Sequence, residues 1–266
     1  MLHHSDYTND TVALNAIVDD TAFDNFKQDP NFTNILEHVN YTQGLQYIDR
    51  IKTLSPMCGV EFDKLSWNNY IDNDIIGNPT KFNFQDQLIH INNLKTSIIS
   101  PTTLRYICFG LQILKVIQNT GKQNISIIEV GGGYGGQCKI LYDICNQFNI
   151  NIKKYTIIDL EHVSKLQHKY LTKLNVNNIV TLSNTNCLDM LDNDYDLFIS
   201  NYALGEFKPD VQDFYIDNVL SRSHKSFITW NTHPINPKLT NIAIDEEIPQ
   251  TGHVVFPNII ITNKEN

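Results

Sequence analysis

Basic residues are scarce in this chain of 266 residues, and no basic run is longer than Lys153-Lys154. Lysine and arginine together number 20, against 29 aspartates and glutamates, so the formal net charge is −9. Proteins that bind nucleic acid neutralise its phosphates with clustered lysine and arginine side chains. The sequence therefore predicts no nucleic-acid partner. Its charge is compatible with a neutral substrate and a cationic cofactor.

Long hydrophobic runs are absent as well. No stretch reaches the roughly 18 apolar residues that a membrane-spanning helix needs. The first ten residues are polar and lack the hydrophobic centre of a signal peptide. We therefore expect no membrane partner and a cytoplasmic location.

The cysteines and clustered aspartates do not form a recognisable metal motif. The number of cysteines is odd, and no pair has metal-ligand spacing, so we expect buried thiols in a reducing compartment. The cysteines are Cys58, Cys108, Cys138, Cys145 and Cys187. The acidic stretch 189–196 is typical of a solvated turn before a strand, and the sequence predicts no metal site.

The hydrophobic pattern divides the chain into two parts. Residues 1–122 are predicted to form a helical N-terminal cap, with helices at 35–51 and from Ser100-Pro101 to Ile117. Residues 123–266 are predicted to form an α/β domain, because short apolar strands alternate there with helices. The predicted strands are 125–130, 155–158, 179–182, 196–200, 226–230, 253–256 and 259–262.

Glycine is infrequent overall, yet five glycines occupy six positions at 131–136, directly after the apolar strand that ends at Val130. A helical pattern follows this segment. Glycine allows positive φ angles and lets the backbone approach a ligand closely. A strand, a glycine turn and a helix in this order are typical of nucleotide-like cofactor sites in α/β proteins.

The glycines alone leave two cofactors open. The spacing Gly131-x-Gly133-x-x-Gly136 fits a dinucleotide site, and Glu129-x-Gly131-x-Gly133-x-Gly135 fits an S-adenosylmethionine (SAM) site. Asp159, at the end of the second strand of the domain, fits both, because a carboxylate there can accept hydrogen bonds from ribose hydroxyls. The same residue could instead cap the helix that follows.

Three features favour SAM. Glu129 would repel a pyrophosphate but could face an ammonium group. A polar cluster, 200–206, follows the fourth strand, at an edge where open α/β sheets bind ligands. Residues 160–266 are filled by predicted sheet elements, which leaves no room for the separate catalytic domain that many dehydrogenases carry.

Four segments together resemble the sugar O-methyltransferase family, whose members are SAM-dependent enzymes of the Rossmann-like class I. They are Ser100-Pro101-Thr102-Thr103-Leu104-Arg105-Tyr106, Glu129 to Gln137, Tyr155 to Leu160 and Ser200-Asn201-Tyr202-Ala203. The resemblance covers residues 70–232. Two departures stand out: Gly205 occupies a position where the family usually has Ser, and Lys225-Ser226-Phe227 replaces a usual Gly-Tyr.

The resemblance implies a mostly parallel, doubly wound sheet, SAM as the cofactor, and methyl transfer to a hydroxyl of a sugar, nucleotide-sugar or glycan. It implies that the glycine loop shapes the methionine-end pocket with Glu129 beneath it, and that Asp159 binds the ribose. Flanking the adenine would be Asn186, Cys187 and Leu188.

A sugar hydroxyl is a weak nucleophile, so a general base is expected. Glu206 follows the fourth strand and His233 the fifth, and these two are predicted as the base and its helper; His253 is a weaker candidate. Substrate contacts are predicted for Tyr202, Asn201 and Arg105, although Arg105 could equally pair with a carboxylate.

Two other interpretations stay open. A non-catalytic SAM-binding subunit, regulatory or scaffolding, is one, and the change at Gly205 gives it room. The less favoured one is an NAD-dependent oxidoreductase. A saccharide or nucleotide-sugar partner is expected, and a homo-oligomer is compatible with the sequence.

Overall fold

The computed structural model describes residues 10–184, 187–231, 234–252 and 257–264. Its α-helices are α1 (Asp10–Val18), α2 (Asp20–Asn25), α3 (Pro30–Thr33), α4 (Tyr41–Met57), α5 (Trp67–Ile71), α6 (Gln85–Leu88), α7 (Pro101–Thr120), α8 (Gly136–Gln147), α9 (Glu161–Lys173), α10 (Ala203–Glu206) and α11 (Pro209–Asn218). Its strands are β1 (Phe82–Asn83), β2 (Ile98–Ile99), β3 (Asn124–Val130), β4 (Asn151–Asp159), β5 (Ile179–Ser183), β6 (Tyr195–Asn201), β7 (Ser223–Trp230), β8 (Ile242–Glu246) and β9 (Ile259–Asn263).

Seven strands form one mostly parallel sheet, in the order β5-β4-β3-β6-β7-β9-β8. Strand β9 runs antiparallel to both of its neighbours. The chain goes outward from β3 to β5 and then returns to place β6 on the other side of β3, so the strand order reverses there. This confirms the predicted α/β fold with a mostly parallel, Rossmann-like sheet. A reversal of this kind opens a crevice at the carboxyl ends of the strands.

The sequence of β3 is a nearly continuous apolar run because both faces of this strand are buried. Ile127 packs into one hydrophobic cluster, with side chains from α7, α8 and α9. Its neighbour Ile128 packs into a second cluster on the opposite face, with side chains from α10 and α11. Successive side chains of a strand point to opposite faces, so helices cover the sheet on both sides.

The helix that precedes β3 begins and ends as its sequence predicts. The Ser100 hydroxyl accepts a hydrogen bond from the Thr102 N–H (3.3 Å), and Pro101 occupies the first helical position. Gly121 ends the helix with a φ of +69°, in the left-handed region that favours glycine. Between these ends, α7 packs against α8, the helix that follows the glycine loop.

The N-terminal part contains the short strands β1 and β2 besides its helices, and one of its helices begins later than predicted. The helix expected over 35–51 begins only at Tyr41, because Asn40 and Gln43 form a reciprocal capping box there. Residues 35–39 are therefore free to run as non-helical chain. One hydrophobic cluster contains side chains from residues before and after 122, and the division into cap and core stays a prediction.

Strand β8 forms one edge of the seven-stranded sheet, next to β9. Strand β8 was not predicted, because all of its side chains are exposed or half-buried and its apolar residues span only Ile242 to Ile244. The predicted strand at 253–256 lies outside the described residues. Over the described ranges, every helix falls short of the length and apolar character that crossing a membrane requires.

Candidate functional site

A cavity of ≈ 440 Å³ opens at the carboxyl ends of β3, β4 and β6, at the reversal of strand order. We call it the cleft. Ligand pockets in proteins typically have volumes of about 300–1,000 Å³. Seven of the residues singled out in the sequence line it: Arg105, Gly131, Gly133, Asp159, Asn201, Tyr202 and Glu206.

The glycine loop forms the floor of the cleft and needs glycine for two reasons. Gly131, Gly133 and Gly135 have φ values of +74°, +55° and +97°, which L-residues with side chains seldom adopt. A Cβ atom on Gly131 would also lie only 2.1 Å from the Cβ of Ala203. The turn after β6 therefore packs directly on the loop. Gly135 instead faces Leu171, away from the cleft.

Glu129 lies beneath the loop, not in the cleft wall. It is 1% exposed, and its Oε2 accepts a hydrogen bond from the Tyr155 hydroxyl (2.8 Å). Burial raises the pKa of this carboxyl to about 7, although the Tyr155 hydrogen bond lowers it. A Cβ on Gly132 would lie 3.3 Å from the same oxygen. Glu129 thus supports the loop from below.

Asp159 ties the end of β4 to the loop and also lines the cleft. Its carboxylate accepts hydrogen bonds from the Leu160 N–H (2.9 Å) and from Gln167 Nε2 (2.9 Å). The backbone N–H groups of Gly132 and Gly133 also act to lower its pKa. Burial outweighs these bonds and raises the pKa of Asp159 to about 7.

The segment after β5 contributes less than expected. Cys187 is buried, with its thiol donating to the Asn184 carbonyl at 3.6 Å, and Leu188 packs into the hydrophobic cluster below. Neither lines the cleft, whereas Asn184 does. Asn186 lies outside the described residues, and so do His233 and His253.

The turn after β6 is held in a strained backbone conformation. Tyr202 has a φ of +68°, and its hydroxyl donates to the buried carboxylate of Glu247. Glu247 also accepts hydrogen bonds from Thr251 Oγ1 (2.9 Å) and Asn258 Nδ2 (2.8 Å). Non-glycine residues keep a positive φ only where their surroundings fix it, and such residues cluster at functional sites.

Glu206 stands exposed at the mouth of the cleft. Its Oε1 accepts a hydrogen bond from Asn231 Nδ2 (2.8 Å), and both residues line the cleft. The structure also explains the departure at Gly205. A Cβ there would lie 2.9 Å from the Asn231 backbone nitrogen, so the glycine lets the end of β7 approach α10 closely.

The N-terminal segment forms part of the cleft wall, which the sequence did not predict. Leu36 and His38 line the cleft, and Leu36 covers Gly133. The segment is anchored by Glu37, whose Oε1 accepts from the Tyr134 hydroxyl at 2.8 Å. Burial, together with the nearby Arg105 cation, lowers the pKa of His38 to about 4. No local sequence signal marks this segment, because only the tertiary fold brings it to the loop.

The acidic stretch before β6 pairs with basic residues. Asp196 bonds to Lys122 and to the Ser126 N–H (2.7 Å), and Asp194 contacts His224 at 2.7 Å. Within the described part of the chain, no three histidine, cysteine, aspartate or glutamate side chains gather in a way that could hold a metal ion. All five cysteines are buried free thiols.

No protein-family model and no curated protein matches the chain, whereas solved structures of methyltransferases are similar to it. An rRNA methylase from Streptococcus thermophilus is 13% identical over 55% of this chain and 89% of its own, with a TM-score of 0.40. The N-terminal domain of human METTL16 in complex with SAH is 13% identical over 62% of this chain and 71% of its own, with a TM-score of 0.43. The chain spans about half (48%) of a candidate sarcosine dimethylglycine methyltransferase from Galdieria sulphuraria, which is 19% identical over 49% of this chain with a TM-score of 0.38.

The prediction that excluded nucleic acid is wrong. Structures similar to this chain include the rRNA methylase and a candidate RNA methyltransferase from Pyrococcus horikoshii. The prediction inferred the absence of a nucleic-acid partner from scarce basic residues and a negative net charge. Net charge describes the whole surface, whereas single-stranded RNA can be bound by local contacts and base stacking. A net charge of −9 therefore does not exclude an RNA substrate.

Proposed function

We propose that the protein is a SAM-dependent O-methyltransferase that acts on a hydroxyl of a sugar, nucleotide-sugar or glycan. The observation that carries this proposal is the cleft, which joins the glycine loop, Asp159 and the exposed Glu206 at one edge of the sheet. The residues predicted to bind the cofactor and the predicted general base, Glu206, therefore line the same cavity, whose volume is that of a typical ligand pocket.

The residues of the cleft fit SAM. Gly131 and Gly133 add no side chains of their own to the cleft floor, and Leu160 and Val163 supply apolar surface beside Asp159 for an adenine ring. Asp159 would accept from the ribose, and Glu129 would hold the loop in place from beneath. The dinucleotide alternative is disfavoured because the buried carboxyl of Glu129 lies directly beneath the loop that would hold a pyrophosphate.

The outer cleft suits an acceptor rich in hydroxyl groups. Side-chain amides and a hydroxyl line it, from Asn201, Asn231, Thr251 and Asn258. Such groups can both donate and accept hydrogen bonds, as sugar hydroxyls do. This polarity and the sequence resemblance are what support a saccharide.

When bound, SAM supplies a methyl group on a sulfonium. Glu206 would accept the proton of the acceptor hydroxyl, and the acceptor oxygen would bond to the methyl carbon as the carbon–sulfur bond breaks. The products would be a methyl ether and S-adenosylhomocysteine (SAH). Asn231, which donates to Glu206, would hold that carboxylate in position. The cleft walls, Leu36 among them, would exclude water and align the reactants, which supplies much of the rate in a displacement of this kind.

The test is turnover with radiolabelled SAM on a panel of free sugars, nucleotide-sugars and short RNAs. Glu206→Gln should lower kcat by about 10²–10⁴-fold with unchanged SAH affinity. Glu246→Gln, an exposed glutamate on β8 outside the cleft, is the matched control and should match the wild type. Full activity in Glu206→Gln would refute the base assignment, and binding of NAD but not SAH would refute the cofactor. Tight SAH binding without turnover on any acceptor would favour the non-catalytic alternative.

A further inference from the structure

Arg105 carries a buried positive charge that no acidic side chain neutralises by contact. It lies on α7, is 3% exposed and lines the cleft. Its Nη2 donates to the Leu36 carbonyl (3.0 Å), whereas Nε and Nη1 have no hydrogen-bond partner. None of the ion pairs among the described residues includes it. A buried guanidinium in this state is costly unless something else supplies the negative charge.

The aromatic and imidazole neighbours of Arg105 do not supply that charge. The rings of Tyr106 and Tyr202 lie 5.6 Å from its guanidinium carbon, and burial raises the pKa of both phenols, to about 12 for Tyr106. Both are therefore neutral near pH 7. His38 is neutral there as well, since its pKa is lowered to about 4. The charge of the nearby Glu247 carboxylate raises the pKa of Arg105, but Glu247 forms its hydrogen bonds with Tyr202, Thr251 and Asn258 and none with Arg105.

A second unpartnered donor lines the same cleft. The Asn201 Oδ1 accepts from the Thr229 hydroxyl (2.7 Å), which leaves the buried Nδ2 without a partner. Asn201 and Arg105 therefore both present donors to the cleft, and one of them is charged. Unpartnered buried donors are rare in folded proteins, and they call for an explanation such as a ligand.

We propose that Arg105 and Asn201 form a carboxylate-binding subsite within the cleft. The carboxylate has two potential sources: the amino-acid end of SAM, or an acidic group on the acceptor, such as that of a uronic acid. The proposal rests on the proposed function, because both sources are ligands of that reaction. Arg105 contacts the segment that covers Gly133, so the subsite adjoins the glycine loop.

The cofactor arm of the test compares SAH with 5′-methylthioadenosine, which keeps the nucleoside but lacks the carboxylate, by calorimetric titration. If the cofactor supplies the carboxylate, Arg105→Met should weaken SAH binding by about 10–100-fold, the usual loss for a charged hydrogen bond. The affinity for methylthioadenosine should not change. Arg222→Met is the matched control, because Arg222 also bonds to backbone carbonyls but lies outside the cleft.

The acceptor arm compares D-glucuronate with D-glucose at equal ionic strength, with methylthioadenosine present. If the acceptor supplies the carboxylate, the wild type should prefer glucuronate and Arg105→Met should lose that preference. The proposal is overturned if Arg105→Met changes neither SAH affinity nor the preference for glucuronate. Failure of the wild type to bind either nucleoside would instead refute the proposed function, and the comparison of the two sugars would still test the subsite.

Thermal melting without ligand separates this role from a structural one. Arg105→Met removes an unpaired buried charge, so we expect a melting temperature equal to or above that of the wild type. A lower melting temperature with unchanged ligand affinities would assign Arg105 to the fold and overturn the proposal. If Arg105→Met does not fold, Asn201→Ala serves in the same titrations, because it removes the other donor of the subsite.

Discussion

Replacing Gly131 with alanine tests the close contact between the glycine loop and the turn after β6. The φ of +74° at this position is unfavourable for alanine by about 1–2 kcal/mol. The new Cβ would also lie 2.1 Å from the Cβ of Ala203, whereas carbon atoms in contact lie about 3.5–4.0 Å apart. The loop or the turn must therefore move by more than an ångström, and overpacking of this kind costs about 1–3 kcal/mol.

Gly121→Ala is the matched control, because Gly121 has nearly the same φ, +69°, but nothing within 4 Å of a new Cβ. It should lose only the conformational part, about 1–2 kcal/mol. Gly131→Ala should lose about 2–5 kcal/mol in all, measured by urea unfolding. Only Gly131→Ala should weaken SAH binding, because only that loop borders the cleft.

A double variant isolates the clash. In Gly131→Ala with Ala203→Gly, the Cβ of residue 203 is gone, and its Cα at 3.6 Å would be an ordinary contact. The second change should recover about 1–3 kcal/mol of the loss and part of the SAH affinity. The reasoning is refuted if Gly131→Ala is no less stable than Gly121→Ala, or if removing the Ala203 methyl recovers nothing.

Three further predictions concern buried charge and the mouth of the cleft. In the folded protein the pKa of the Glu129 carboxyl is raised to about 7, so this group loses its proton at a lower pH in the unfolded chain than in the folded one. Between about pH 4.5 and pH 7 the free energy of unfolding should thus fall with rising pH, by about 3 kcal/mol relative to Glu129→Gln; parallel urea titrations of the two proteins would contradict this. Lys27→Met should lower the free energy of unfolding, because it removes the bonds of the buried ammonium to the Asn73 carbonyl and Tyr170 and the cation whose charge lowers the pKa of Glu37. Adding Glu37→Gln should restore part of that stability, and no recovery would show that the charge of Lys27 does not act on Glu37. Gly205→Ser should displace Asn231 and lower kcat without changing SAH affinity, and an unaltered kcat would show that this close approach does not position Glu206.

Much of the core could be predicted because its signals are local. The strand that became β3 ends in a glycine loop, and the helix that became α7 has Ser100, Pro101 and Gly121 at its ends. These features depend on backbone preferences and on burial along one segment. Strand β8 was missed because an exposed strand lacks a strong alternation of apolar and polar residues. The start of α4 was placed too early because the capping box at its first turn, and not the apolar stripe, sets where the helix begins.

The site was only partly predictable, because its members come from distant segments. Loop glycines and Asp159 follow strands of the sheet, and a parallel sheet brings its carboxyl ends to one edge. Leu36 and His38 carry no such signal, since they reach the cleft through Glu37 and Tyr134. The burial of Glu129 could not be predicted from its spacing to the glycines either. It follows from the conformation of the loop, which places this side chain below the cavity.

The sequence by itself determined the α/β core, the glycine loop and the acidic residues around it. Backbone conformation and the burial pattern of a strand or helix depend on residues that are adjacent in the chain, so they can be predicted from the sequence. Only the tertiary structure decided which of these residues share the cleft. It put Gly135, Cys187 and Leu188 outside, brought the N-terminal segment in, and left Arg105 buried beside the cleft without an acidic partner. Whether a polar group is satisfied depends on every neighbour in space, and neighbours in space are set by packing.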